Sequence, residues 1–209
     1  MNTVTKHFKP WDAQNKVAEW VNQSNFSVKY FPTHEIVAQA SEELGEVGRE
    51  LSHLYGHKKK KNGEVEKDLK TEIGGFLFTL MCLTNSFEIH LMPLRDEYGG
   101  SPDKNKWNSD PFRMNTFLVK SLGKNIADKV LLYEQLIEGS DIQLKPRSVL
   151  NEIGAGVHEI IEIFEYIIFT QKLSFTLDQA FAAHMEKMYT RDKDRFVKKE
   201  GDSPKYFGL

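Results

Sequence analysis

Carboxylates at helical spacing are the residues of this sequence that are best suited to chemistry. Glu43, Glu46 and Glu50 are spaced so that one flank of a helix would carry all three, while Glu42 points more nearly away. They stand in the middle of their segment, where the helix dipole gives acids no stabilisation. Glutamates are also typical of a solvated helix face, and periodicity alone leaves both interpretations open.

A second acidic group follows on the next predicted helix, where Asp68, Glu72 and position 75 share a flank. If the two helices pack antiparallel through their apolar stripes, the acidic flanks can face each other across a groove. Clustered carboxylates repel, so such a groove is favourable only when cations neutralise it. Their oxygens suit Mg²⁺ or Mn²⁺, which keep several waters and take substrate phosphates as further ligands. The functional interpretation is therefore a Mg²⁺ or Mn²⁺ site.

The elements that must position these acids are amphipathic helices. Apolar residues at steps of three or four from Thr33 to Leu54 predict the first one, with Pro32 and Thr33 at its start and Gly56 at its end. The same periodicity predicts further helices over residues 12–21, 64–87, 117–137 and 149–170. The predicted fold class is all-α, a helical bundle.

Two short motifs recur in the same order and indicate an internal duplication. Leu44-Gly45 matches Leu122-Gly123, and Glu72-Ile73-Gly74 matches Glu152-Ile153-Gly154 after nearly the same interval. Each half then contributes a helix pair to one bundle, because two helices alone cannot bury both apolar faces. The predicted organisation is one compact domain made of a half with the acidic motif, a linker, a second half and a flexible tail, at residues 1–93, 94–112, 113–200 and 201–209.

Composition excludes several other classes of protein. The 28 basic and 30 acidic side chains nearly balance, so nucleic acid is not an expected partner, and the run Lys58 to Lys61 is interpreted as a solvated loop. No signal-like or membrane-spanning apolar stretch is present, which predicts a cytoplasmic protein without a membrane partner. The single cysteine, Cys82, lies in an apolar run and is expected to be a buried thiol.

The acidic motifs resemble those of the MazG-like nucleotide pyrophosphohydrolases, which include all-α dUTPases and dCTP pyrophosphatases. The similarity rests on Glu42-Glu43-Leu44-Gly45-Glu46 and Glu72-Ile73-Gly74, and on their surroundings HLYGHKKKKNGEVEKDLKTEIG and FLFTLMCLTNSFEI, which look like the short bacterial members. It resumes in HMEKMYTRDKDRFVKKE, so that it covers residues 10–92 and 176–200. The segment between them looks like a degenerate second copy of the helix pair.

The resemblance implies metal-dependent hydrolysis of a nucleoside triphosphate to the monophosphate and pyrophosphate, in a nucleotide-pool or house-cleaning role. It further implies a homo-oligomer, a dimer, unless this chain is a fused version of such a dimer. The implied site consists of Glu43, Glu46 and Glu72 as metal ligands, Glu42 as the catalytic acid that orients water, Lys187 and Arg191 at the phosphate tail, and Trp11, Trp20 or Asn85 at the base. The last five also fit packing, capping or surface roles.

Two departures from the family pattern leave the function open. Gly75 stands where the family has an aspartate, and Ala155 stands at the matching place in the second half. In that half Lys120, Ser121 and Lys124 replace the acids of the first motif, so it is not expected to bind metal. Asp68 or a water can fill the place of the aspartate and leave a working enzyme. The alternatives are a catalytically impaired nucleotide-binding relative and a structural helical module.

Overall fold

The computed structural model describes residues 7–22, 30–61, 68–92, 109–138 and 146–191, and all regular structure in these ranges is helical. The predicted all-α class is confirmed. The helices are α1 (Pro10–Val21), α2 (Thr33–Tyr55), α3 (Leu69–Ser86), α4 (Pro111–Ser121), α5 (Asp128–Glu138), α6 (Arg147–Thr170) and α7 (Leu177–Arg191), and a π-helical segment (Leu122–Ala127) joins α4 to α5. None of the described helices is long and apolar enough to span a bilayer.

Helix α3 is the central helix of the bundle. Apolar side chains lie on nearly every face of α3, and most of its residues are buried, as expected for a helix that is surrounded by others. Helices α1, α2 and α7 pack against it, and α6 reaches it through an edge-to-face contact of Phe76 with Phe164, whose ring centroids are 5.7 Å apart. The carboxylate that α3 carries in its first turn is therefore held by the most enclosed element of the fold.

Helices α3 and α7 approach each other at Gly74, where their backbones almost touch. A Cβ built on Gly74 would lie 2.2 Å from the carbonyl oxygen of Ala180 and 2.9 Å from the Cβ of His184. No other residue fits there without moving α7, because the obstructing atom belongs to the backbone rather than to a flexible side chain. Gly74 thus sets how closely α7 lies on α3.

The helices of the second half pack against those of the first. The hydroxyl of Thr33 in α2 donates a hydrogen bond to Glu134 in α5, and the amide of Asn115 in α4 lies 3.1 Å from where a Cβ of Gly48 would be. One cluster of buried apolar side chains includes residues of both halves. The contacts fit a bundle built from two helix pairs, while the duplication and the exact division of the chain stay predictions.

Several features predicted at the helix boundaries differ from the structure. Thr33 does not cap α2, since Pro32 holds the cap position and the Thr33 hydroxyl bonds to Glu134 instead. Helix α3 begins at Leu69 rather than at Glu64, and residues 62–67 lie outside the described residues. Helix α4 begins at Pro111, inside the predicted linker, because Asp110 caps it by accepting from two backbone N–H groups. The rest of the linker from 94 to 108 and the tail from 201 to 209 also lie outside the described residues.

Candidate metal centre

Three glutamates from α2 and α3 form the centre of the site. One carboxylate oxygen each of Glu43, Glu46 and Glu72 lies within 4.8 Å of the others. Glu43 and Glu46 are half-buried beside the apolar stripe of α2, and Glu72 is buried with 3 % of its surface exposed. In the part of the chain that the structure describes, no second group of potential metal-binding side chains has this geometry. The structure therefore brings together the three acids that were expected to be ligands.

The position of Glu72 in the first turn of α3 explains how the fold tolerates a buried carboxylate there. Free N–H groups at a helix start give it positive partial charge, which stabilises a nearby anion. Three carboxylates at this separation nevertheless repel one another, and a bound cation would relieve the repulsion. Their oxygens suit a hard divalent cation, so the donor set fits Mg²⁺ or Mn²⁺.

Asp68 does not join this group, contrary to the suggestion that it could replace a missing carboxylate. Its backbone is extended, with φ −114°, and its side chain accepts a hydrogen bond from the N–H of Thr71 at 2.6 Å. The residue is the N-cap of α3 and not a member of the helical flank, because Asp at a cap satisfies a donor that the helix leaves free. Removing it would weaken the start of the helix that presents Glu72.

Gly75 faces Glu43 of α2, as the predicted helical register requires. A Cβ at this position would lie 2.5 Å from the Oε2 atom of Glu43 and 3.1 Å from the Cε1 atom of His184. The first distance is too short for a real contact, so the Glu43 side chain uses the space that a side chain at 75 would need. A side chain at Gly75 would therefore require Glu43 to move.

His184 was not anticipated from the sequence. It lies on α7 with 8 % of its surface exposed, and its ring stacks obliquely on Phe78 of α3 at a centroid distance of 5.3 Å. A signal was present in the sequence, since His184 shares its helix face with Ala180, Phe181 and Met188, which are all buried. A polar residue on the apolar stripe of α7 is expected to be buried, and buried polar side chains normally contact other polar groups.

Glu50 is on the expected flank but belongs to a different cluster. It is buried, with the ammonium of Lys60 at 3.0 Å, and Arg49 and His53 have nitrogen atoms at 3.5 and 3.6 Å from its other oxygen. Lys60 belongs to the run from Lys58 to Lys61 that was interpreted as a solvated loop, and it is exposed but also pairs with Glu50. A second contact of Arg49, 3.7 Å from Glu46, links this cluster to the three glutamates.

Four other predicted site residues are not part of the glutamate cluster. Glu42 is exposed and outside the group, Lys187 is half-buried, and Arg191 is exposed on the same helix as His184. Trp20 is buried with its ring against Phe78. The structure leaves their proposed roles untested, although the burial of Trp20 leaves no open face on which a base can stack.

Asn85 and Trp11 are far from the glutamates. Asn85 stands thirteen positions after Glu72 on α3, which is about 20 Å along a helix at ~1.5 Å per residue. Its side-chain amide donates to the backbone carbonyl of Gln14 at 2.9 Å and so holds α1. Trp11 is partly exposed beside His90 at the same end of the bundle. Neither residue is therefore part of the glutamate cluster, and the predicted role of each at the base stays a prediction.

The corresponding place in the second half has a different chemistry. Ser121 and Asn125 both donate to the same oxygen of Glu159 at 2.7 Å, and Lys129 pairs with Glu152. All of these residues except Ser121 border a surface cleft of about 550 Å³, which Ala155, Gly156, His158 and Glu162 also line. The side chains of Lys120 and Lys124 are exposed. Internal hydrogen bonds and an ion pair thus occupy the carboxylates here.

Cys82 has the properties of a structural thiol. The residue is partly buried on α3, and burial raises the pKa of its thiol far above the usual value. A thiol in this state stays protonated and is a poor nucleophile or metal ligand. The candidate ligands of the site are therefore the carboxylates and not this thiol.

The fold and the glutamate cluster define an all-α helical bundle with a carboxylate centre between two of its helices. No protein-family model matches the chain, and no solved structure matches it. The chain is 39 % identical over 99 residues, 46 % of its length, to uncharacterized protein YpjD of Bacillus subtilis (strain 168), of which the match covers 87 %. The chain belongs to the same family as YpjD.

Proposed function

We propose that this chain is a metal-dependent nucleotide pyrophosphohydrolase of the MazG-like type, which hydrolyses a nucleoside triphosphate to the monophosphate and pyrophosphate. The observation that carries the proposal is the convergence of Glu43, Glu46 and Glu72, whose oxygens lie within 4.8 Å of one another. These three residues would hold Mg²⁺ or Mn²⁺. When bound, the metal supplies charge neutralisation at the phosphoryl oxygens and lowers the pKa of a water molecule.

The chain itself supplies the positions of the ligands. Glu72 is fixed by its burial in the first turn of α3, and the Arg49 guanidinium, 3.7 Å from Glu46, limits the repulsion among the acids. Lys187 and Arg191, on the helix that also carries His184, are the proposed contacts of the phosphate tail. Glu42, which is exposed, is the proposed acid that orients water after the substrate binds.

A nucleotide-binding protein without turnover is the second candidate function. The observation that favours it is the absence of a side chain at Gly75, where Glu43 and His184 fill the space instead of a fourth carboxylate. Fewer carboxylates around the metal leave more of its charge uncompensated and weaken its binding. Binding of a nucleotide would then persist where hydrolysis fails.

The proposal is tested with the eight canonical nucleoside triphosphates, each incubated with Mg²⁺ or Mn²⁺ and scored for pyrophosphate against orthophosphate. The wild type should release pyrophosphate from at least one, and Glu72→Gln should lose this activity. Glu35→Gln is the control, because Glu35 is an exposed glutamate of α2, the helix that carries Glu43 and Glu46, and lies outside the cluster. Nucleotide binding without pyrophosphate release would favour the second function.

If the protein neither releases pyrophosphate from any of the eight nucleotides nor binds any of them, both proposed functions are eliminated. Equal activity of Glu72→Gln and the wild type would also contradict the proposal, since the reaction would then proceed without the glutamate cluster.

A further inference from the structure

Two cations beside the glutamate cluster converge on one buried carboxylate. The Nε atom of Arg49 lies 3.5 Å from Oε1 of Glu50, and the ammonium of Lys60 lies 3.0 Å from Oε2 of the same residue. A terminal nitrogen of Arg49 is also 3.7 Å from Oε1 of Glu46, one of the three clustered acids. Helix α2 carries Arg49, and the chain that follows α2 carries Lys60. The fold thus places a basic pair, Arg49 and Lys60, at the edge of the candidate metal centre.

The basic pair has more charge and more donors than Glu50 uses. Glu50 supplies one negative charge to two positive ones, and the other acid near Arg49, Glu46, is a proposed metal ligand. The Nε atom of Arg49 is buried and makes no hydrogen bond within the described residues, and neither does either ring nitrogen of His53 on the next turn. Buried polar groups normally have hydrogen-bond partners. Such a group fits an anionic ligand that offers several acceptor oxygens.

The basic pair is also accessible to a ligand. About a third of each side chain is exposed, 32 % for Arg49 and 31 % for Lys60. Guanidinium groups bind phosphate oxygens through two parallel N–H bonds, and a lysine ammonium binds them as a point charge. A phosphate group that contacts both cations would lie next to Glu46 and therefore next to the metal centre.

We propose that Arg49 and Lys60 bind the phosphate chain of the nucleotide beside the metal held by Glu43, Glu46 and Glu72. With Glu46 engaged as a metal ligand, the Arg49 guanidinium pairs with phosphate oxygens instead. The inference rests on the proposed function and goes beyond it, because it assigns phosphate binding to α2 and the chain after it and not only to α7.

Inorganic pyrophosphate is the probe, because it has the charges of a phosphate chain without a base or sugar. Its binding to the whole chain in excess Mg²⁺ is measured by calorimetry. Arg49→Met and Lys60→Met should each weaken binding about tenfold or more, since each removes a charged hydrogen bond. Lys58→Met, at an exposed lysine of the same run, is the control and should stay within about twofold of the wild type, because salt screens exposed charges.

A double variant separates phosphate binding from the stability of the fold. Lys60→Met leaves Glu50 with one cation fewer, so Glu50→Gln combined with Lys60→Met is measured beside it. This variant has no carboxylate at position 50 that needs the missing ammonium, and it should still show the loss of pyrophosphate binding. Pyrophosphate affinity equal to that of the wild type in the double variant would overturn the inference for Lys60.

Mg²⁺ titration without pyrophosphate separates phosphate binding by Arg49 from support of the metal ligands. Arg49→Met should bind Mg²⁺ about threefold or more tightly than the wild type, because a cation 3.7 Å from Glu46 no longer opposes the metal. If Arg49 only held Glu46 in place, the variant would lose affinity for Mg²⁺ and pyrophosphate together. That result would overturn the inference for Arg49.

The outcomes for this inference and for the proposed enzyme are distinguishable. Unchanged pyrophosphate affinity in Arg49→Met and Lys60→Met, or no pyrophosphate binding by the wild type, would overturn the inference. Pyrophosphate binding that depends on the basic pair, without hydrolysis of any nucleoside triphosphate, would support the inference and count against the enzyme. Hydrolysis by the wild type with unchanged pyrophosphate affinity in both variants would support the enzyme and overturn the inference.

Discussion

The carboxylate of Glu43 lies 2.5 Å from the point where a Cβ of Gly75 would be, although the two residues belong to different helices. Any side chain at position 75 must therefore displace Glu43 or replace what Glu43 does. The residue type at position 75 of α3 therefore determines where the side chain of Glu43 on α2 can lie. It also makes position 75 the most informative single site for testing the metal centre.

Two substitutions at Gly75 should have opposite effects on metal binding. Gly75→Asp adds a carboxylate while it displaces Glu43, so its thermal stability should rise more on addition of Mg²⁺ than that of the wild type. Gly75→Ala displaces Glu43 and adds no ligand, so its Mg²⁺ affinity should fall about tenfold. Thermal melts with and without Mg²⁺ measure both effects. Without metal, Gly75→Asp should be less stable, because one more anion joins the three glutamates.

Gly45→Ala is the matched control for the Gly75 variants, since a Cβ at Gly45 in α2 has no atom within 4 Å. Its response to Mg²⁺ should equal that of the wild type. Equal metal stabilisation of Gly75→Asp, Gly75→Ala and the wild type would mean that position 75 does not affect the site.

Gly74→Ala should destabilise the protein strongly. The new methyl group meets the backbone carbonyl of Ala180 at 2.2 Å, so α7 must move away from α3. A cost of about 3 kcal/mol or more is expected, at the upper end of the range for overpacked sites. Gly45→Ala should instead gain up to about 1 kcal/mol, because alanine is the better helix former. Urea denaturation measures both, and similar unfolding free energies for the two variants would refute the close packing of α7 on α3.

Lys60→Ala should weaken the fold although Lys60 is in a stretch that looks like a solvated loop. The substitution removes the ammonium 3.0 Å from buried Glu50, and the nitrogen atoms of Arg49 and His53 are farther from that carboxylate. A loss of about 1–2 kcal/mol is expected for a charged hydrogen bond at a partly exposed site. Lys58→Ala, at an exposed lysine of the same run, should stay within about 0.5 kcal/mol of the wild type. Denaturant titration in low salt would show no difference between them if the ion pair has no structural role.

His158 should make the stability of the fold fall in mild acid. Burial lowers the pKa of its imidazole, and this effect outweighs that of Glu162, which raises the pKa. Glu159, Glu152 and Lys129 also border the cleft that it lines. Below the unfolded-state pKa of about 6.5, the imidazole is protonated in the unfolded chain but is still neutral in the folded chain. The free energy of unfolding therefore decreases as the pH falls toward the folded-state pKa.

The test of this pH dependence compares the unfolding free energy of the wild type and His158→Gln between about pH 7 and pH 5, which brackets the histidine range. The difference between the two proteins cancels the contributions of other titrating groups. The wild type should lose more stability on acidification than His158→Gln. Parallel pH profiles would contradict the assignment of this effect to His158.

Helical geometry within single segments predicted part of the centre of the site, and the choice of Glu72 as its third acid came from the resemblance to the MazG-like motif. The grouping of Glu43 with Glu46 follows from their spacing on α2, and the direction of position 75 follows from its distance of three residues from Glu72. The helix class and most boundaries follow from the apolar stripes, because these stripes must be buried. Such features depend on residues that are close in the sequence.

Features set by contacts between distant segments were not predictable in this way. Asp68 was assigned to the helical flank because its periodicity fits, but the chain direction before α3 makes it a cap. The burial of Glu50 depends on a loop that folds back to place Lys60 beside it. His184 reaches the site from the last described helix, about 110 positions after Gly75, and periodicity within one helix says nothing about such a contact.

The π-helical segment between α4 and α5 also bears on the history of the chain. A π turn spans one residue more than an α turn and is the form in which a helix accommodates an inserted residue. If the two halves descend from one ancestral pair of helices, the extra residue shifts the second half by one position relative to the first. An alignment of the two halves that is correct before Leu122 is then wrong by one position after Ala127. Without a one-residue gap at this place, a sequence alignment would underestimate the similarity of the two halves. An ancestral reconstruction of the second half should therefore place the insertion of a single codon between Leu122 and Ala127.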